Sequence, residues 1–246
     1  MTAVVQYVAI LLIVAGCSIV QSIFGVGILV FGTPLLLLLG LQFSTVLAYL
    51  LPCSLLVSAL QIRAGWREVG ELRWRMPLWL IPSVGVGLFI VLVLDQELSV
   101  RNAVGAMMIA NACLRLAPRL NEALSRCVRS AIGPALALTG LVHGATNMGG
   151  GLLTLVTNAV VSQKEQVRAN IAYGYFMMAA SQLAVLTATT GFETSWLRLA
   201  LPLVSVATYL AVGNRMFVAA SQRAYQYAMT GMMFACGASL LGASLL

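Results

Sequence analysis

The stretch LVHGATNMGGGLLTLV (residues 141–156) decides how the chain is read. It is apolar on both sides, yet it holds the chain's only histidine, His143, and three consecutive glycines, Gly149, Gly150 and Gly151. Each glycine costs a helix about 1 kcal/mol relative to alanine. MGGG is therefore a poor choice for a helix that continues and a good one for a backbone that turns and exposes its N–H groups. The first half has a segment of the same plan. SIVQSIFGVGILVFGTPLLLLLG (18–40) and GLVHGATNMGGGLLTLVTNAVV (140–161) are each an apolar run, a glycine break and a short apolar piece.

The surrounding sequence identifies the solvent. Of 246 residues, 61% are hydrophobic and 9% charged. A soluble domain cannot hide that much apolar surface. No charged residue occurs in 1–62, 76–94, 130–163, 169–192, 199–214 or 224–246. Several of these runs reach the roughly 20 residues that span a bilayer as a helix. The chain reads as an all-α, polytopic integral membrane protein; a β-barrel would alternate in polarity.

The net charge of +7 does not point to nucleic acid. Basic residues cluster in short connections: Arg63, Arg67, Arg73 and Arg75; Arg115, Arg119, Arg126 and Arg129; Lys164 and Arg168; Arg215 and Arg223. Only Arg101 and Arg198 lie elsewhere. Basic connections mark the cytoplasmic face. The five cysteines have no metal spacing, and four sit in apolar runs, where the thiol acts as a small hydrophobe. No disulfide is expected. VAGC (14–17) looks like a lipoprotein cleavage box, but no basic residue precedes it, so it is not read as one.

Two repeats follow. The first, 1–120, comprises a re-entrant hairpin (3–40) and helices 43–62, 76–94 and 99–117. The second, 121–246, comprises a hairpin (130–161) and helices 169–190, 198–214 and 224–246. Gly65–Trp66 and Gly191–Phe192, then Pro77 and Pro202, recur at matching places. Three full crossings per repeat invert the second against the first and put both termini outside. Four crossings per repeat would place Arg215 and Arg223 outside, against the charge rule. Inverted repeats with broken helices are a plan of secondary transporters.

Irregular backbone at membrane depth survives where it lines a cavity or is buried in protein. A new helix starts after each turn, near 27 and near 150. Its first N–H groups lack partners, and its dipole end is positive and receives anions. Gln21 and Ser22 precede the first turn (Gly25, Gly27) and Thr33 follows; His143, Thr146 and Asn147 precede the second and Thr154 follows. These side chains can donate to oxyanion oxygens. The alternative role for the glycines is close helix packing. His143 is a functional candidate as an ionisable group deep in an apolar run. It could bind substrate, carry a coupling proton, or hold the turn as a neutral hydrogen-bonding group. All seven acidic residues lie in connections or at helix ends, which disfavours a cation path. Trp66, Trp74, Trp79 and Trp196 sit near span ends, as interfacial anchors do.

FGVGILVFGTPLLLLLGL (24–41), HGATNMGGGLLTL (143–155) and the basic link RAGWREVGELRWR (63–75) resemble the TauE/SafE family of sulfite and organosulfonate exporters, also called the toluene sulfonate uptake permease family. The resemblance covers essentially the whole chain, although its motifs are short. It implies movement of small sulfur-containing or carboxylate anions across the bacterial plasma membrane. The first tip, Gly25-Val26-Gly27-Ile28, departs from the family's usual longer glycine cluster, and Val156 stands where the repeat would place a counterpart of Pro34. No role for His143 is carried over from a family motif.

The reading that results is a secondary transporter, not an enzyme, for sulfite, a sulfonate or a related oxyanion. Gly25, Gly27, Gly149, Gly150 and Gly151 offer backbone N–H groups; Gln21, Ser22, Thr33, His143, Thr146 and Asn147 offer side chains. No ATP-binding motif is present and no cofactor or metal is called for. The partners are the anion and the lipid bilayer, with a homodimer left open. Alternatives are a cation or metal permease, a non-transporting assembly subunit, and an intramembrane enzyme with His143 as base, for which no nucleophile or carboxylate is placed.

Overall fold

Glycine and asparagine end helices where the apolar runs break. The computed structural model describes residues 3–94, 97–191, 195–213 and 222–243. Its helices are α1 (Ala3–Phe24), α2 (Ile28–Leu38), α3 (Phe43–Gly65, then a 3-10 turn Trp66–Glu68), α4 (Leu72–Leu94), α5 (Glu97–Leu116) and α6 (Pro118–Ser130). They continue with α7 (Ile132–Thr146), α8 (Gly150–Val160), α9 (Lys164–Thr190), α10 (Trp196–Thr208, then a π turn Tyr209–Gly213) and α11 (Gln222–Ala243). No strand occurs among the described residues.

Among the described residues, four stretches are long and apolar enough to cross a membrane: Val4–Ile23, Phe43–Glu68, Leu72–Val93 and Lys164–Thr190. At 1.5 Å per residue, α2 and α8, with 11 residues each, cover about half of a ~30 Å hydrocarbon layer. Both are half-helices. Each follows a break at a position the sequence singled out.

One connection differs from expectation. Residues 118–130 form helix α6, not an irregular basic link. Pro118 stands at its first turn, where a missing N–H costs nothing. Arg119, Arg126 and Arg129 are exposed, while Val128 is buried. An amphipathic helix rich in arginine and a basic loop share the same charge cluster in sequence. Asp95, Phe192, Glu193 and Arg215, and the span ends expected at 214 and 244–246, lie outside the described residues.

The packing pairs elements of the first half with elements of the second. α4 lies along α7, and α10 along α1; α4 also meets α9, and α10 meets α3. α3 packs on α9, and α5 on α11. The α4–α7 crossing is backbone to backbone: a side chain at Gly144 would overlap the Val84 carbonyl, and one at Gly87 the Leu141 carbonyl. Small residues at helix contacts give membrane helices this closeness. α3 and α9 run in opposite directions. Gly65, at the end of α3, lies against Ala169 near the start of α9. At the other end, Ala48 and Leu55 share a cavity with Leu183 and Thr187.

Candidate functional site

The two breaks are built alike. At the first, Gly25 takes φ 75° and its N–H donates to the Gln21 carbonyl at 2.8 Å. At the second, Asn147 takes φ 62° and its N–H donates to the His143 carbonyl at 2.7 Å. Two residues later comes a glycine with no room for a side chain. A Cβ at Gly27 would lie 2.7 Å from the Cys17 carbonyl, and one at Gly149 would lie 2.7 Å from the Thr139 carbonyl. Each half-helix thus folds back against the backbone of the helix before it. A glutamine from a long helix completes each break. Gln61 Nε2 on α3 donates to the Gln21 carbonyl (2.8 Å), and Gln182 Nε2 on α9 donates to the His143 carbonyl (3.1 Å).

The tips meet along one helix. Gly25 packs against Ile171 of α9, while Gly150 lies against the hydroxyl of Tyr175, one turn further on. Val30 of α2 also reaches Gly150. Asn147 Nδ2 donates to Thr33 Oγ1 at 2.8 Å and ties the second tip to α2.

The tips differ in how their polar groups are satisfied. At the first, Gln21 Oε1 accepts from Ile28 N (3.1 Å) at the start of α2, and Gln21 Nε2 donates to Ser58 Oγ (3.2 Å). Ser22 Oγ donates to the Ser18 carbonyl, and the Ser22 carbonyl accepts from Arg168 Nη2 (2.8 Å). At the second, α8 begins without a side-chain cap. Both ring nitrogens of His143, Asn147 Oδ1, Tyr175 Oη and Gln182 Oε1 are buried without a hydrogen-bond partner, as is Gln61 Oε1 at the first. The His143 and Tyr175 rings meet edge to face, with centroids 5.9 Å apart. Asn111 of α5 occupies the space a side chain at Gly151 would need.

Of the residues singled out in the sequence, Thr33, His143, Asn147, Gly149 and Gly150 come together here. Gly151 adjoins them beside Asn111. Gln21 and Gly27 build the first break. Ser22 and Gly25 face the start of α9 instead. Thr146 Oγ1 is taken up locally by the Val142 carbonyl and Met148 N. Gln21, Ser22, Thr33, His143 and Asn147 are fully buried, and a cavity of about 550 Å³ lies elsewhere, between α3, α9 and α10. Sequence reasoning missed Ser58, Gln61 and Tyr175, and treated Arg168 as a topology marker only. Gln61 and Gln182 did carry a signal, because they recur at almost the separation of Gly27 and Gly149.

No curated protein and no solved structure matches the chain. A family model described as "Sulfite exporter TauE/SafE" matches residues 8–240. Members of that family are membrane transporters and not enzymes. The match takes in both breaks and nearly the whole chain, so the chain belongs to the TauE/SafE sulfite exporter family.

Proposed function

We propose that the protein exports a small sulfur oxyanion, sulfite or an organosulfonate, by alternating access, and that the anion is held at the second tip. The observation that carries this reading is the contrast between the breaks. Gln21 already caps α2. The start of α8 has no side-chain cap, and beside it the Tyr175 hydroxyl and the His143 ring, both able to donate, are buried without a partner. Leaving such a group unsatisfied costs about 1–3 kcal/mol, so a cluster of them needs a compensating polar guest. N–H groups at a helix start suit an anion.

In this reading Gly150 and Gly151 present amides, while the Tyr175 hydroxyl and a ring N–H of His143 donate from the sides. Gln182 fixes the turn through the His143 carbonyl. The first tip supports the second: Thr33 holds Asn147, and Gly25 and Gly27 shape the break that brings α2 there. The opposed run of α3 and α9 supports an inverted insertion of the two repeats. The basic connections support a cytoplasmic face at Arg63–Arg75 and Lys164–Arg168, with both termini outside, in a bacterial plasma membrane. A cation substrate is disfavoured, since no Asp or Glu is buried among the described residues.

The test is flux of labelled sulfite, thiosulfate and sulfonates in proteoliposomes, with and without a pH gradient. Saturable flux is expected. Tyr175→Phe should lower it by about tenfold, the worth of one hydrogen bond to a charged group. Folded protein that moves none of these anions sinks the reading and favours a non-transporting subunit.

A further inference from the structure

A second site lies away from the tips. The 550 Å³ cavity is bounded by the start of α3, the end of α9 and the start of α10. It sits at the opposite end of α3 and α9 from Arg63 and Lys164. Its polarity is graded the same way on α3 and α10. Gln42, Ser44 and Thr45 stand at the first turn of α3, and Arg198 at the first turn of α10; Leu55 and Pro202 line the cavity deeper along the same helices. On α9, Thr190 lies at the end and Leu183 deeper. Arg198 is the one charged residue among the described lining residues. The volume falls in the range of small-molecule pockets, which are largely apolar with a few placed polar groups.

We propose that this cavity is an outer binding site for an organic anion. The head, a sulfonate or carboxylate, sits at Arg198 and the first turn of α3. A short alkyl or aryl tail lies against Leu55, Leu183 and Leu199. A guanidinium recognises such heads through paired N–H donors, and the leucines take the tail's apolar surface out of water. The site therefore prefers a tailed anion over bare sulfite, which has nothing to place against the leucines. Binding here stands independently of the function proposed above; only its role as a vestibule to the second tip rests on that function.

The experiment titrates the whole protein, in nanodiscs of phosphatidylcholine, with benzenesulfonate, with the neutral benzenesulfonamide and with sulfite. Benzenesulfonate is expected to bind most tightly. Arg198→Gln should weaken it by about tenfold or more, as loss of a charge-assisted contact does. Arg198→Lys should bind more weakly than the wild-type protein and more tightly than Arg198→Gln, because it keeps the charge and loses the paired donors, which separates lost charge from lost folding. Gln182→Leu, at the second tip, should leave this binding in place even where flux is lost, so the two proposals fail separately. Equal binding by Arg198→Gln, or equal binding of benzenesulfonamide, overturns the site. Loss of benzenesulfonate binding when phosphatidylglycerol is added to the nanodiscs assigns the cavity to lipid and overturns it as well.

Discussion

Asn147 donates from Nδ2 to Thr33 Oγ1 across 2.8 Å, and this bond joins the two broken hairpins. Asn147 is also the left-handed residue that ends α7. Asparagine tolerates that conformation better than most residues other than glycine. One residue therefore sets the turn of the second hairpin and its contact with the first. Under the alternating access proposed above, this bond is strained or broken in some state.

Thr33→Val keeps the shape of the side chain and removes the acceptor. The buried Asn147 amide then loses its partner, at a cost of about 1–3 kcal/mol. Asn147→Gly keeps the backbone conformation and removes the donor. Thermal unfolding of the two single variants and the double variant should show a coupling of at least about 0.5 kcal/mol. Strictly additive losses would mean that the bond does not hold the hairpins together.

Gly27→Ala and Gly149→Ala should both fail to give monodisperse protein. In each, the new methyl group meets main-chain atoms of the preceding helix, the Cys17 carbonyl in one case and the Thr139 carbonyl in the other. A backbone cannot rotate away as a side-chain tip can. Gly16→Ala is the control, with nothing within 4 Å of its Cβ position. It should be neutral or stabilising by up to about 1 kcal/mol through helix propensity. Size-exclusion profiles after detergent extraction compare the three.

Gln61→Leu and Gln182→Leu remove the same device from the two halves. Each deletes a side-chain donor to a carbonyl at a helix break, while the Gly25 or Asn147 N–H still satisfies that carbonyl. The stability loss should be similar for both, about 0.5–1.5 kcal/mol. Their effects on flux should differ, because only Gln182 adjoins the unpartnered cluster of the second tip. Denaturation in detergent and flux in liposomes read the two quantities. Equal flux losses would argue that both tips bind.

What the sequence made legible was whatever acts within a few residues of itself. Gly149–Gly151 and Gly25–Gly27 announced their breaks because glycine is costly in a helix and cheap in a turn. Charge-free runs announced the membrane. Gln61, Ser58 and Tyr175 stayed hidden because they reach the tips from α3 and α9, tens of residues away in the chain. The same distance hid the role of Arg168, whose guanidinium reaches the Ser22 carbonyl. Helix α6 was hidden for another reason: exposed arginines on an amphipathic helix and arginines in a loop leave the same charge count. The donor capacity of Gln21 was visible, but its use as a cap for Ile28 was not, since that depends on how α2 folds back.

His143 gives the last prediction. Its ring lies beside Tyr175, its Cβ lies against the place a Gly149 side chain would fill, and neither ring nitrogen has a hydrogen-bond partner. Imidazole is the side chain whose charge ordinarily changes between pH 5 and 8. On the proposed function, the ring takes a proton when the site opens to water, binds the anion as a cation, and gives the proton up on the other side. His143→Gln keeps a donor and an acceptor at about the same reach but cannot titrate. Flux through the wild-type protein should then follow an imposed pH gradient, while the variant should keep residual flux with a flat profile over that range. A variant that retains the wild-type inflection would assign the ring to holding the turn, and the coupling proton would have to travel by a group other than the one histidine the chain contains.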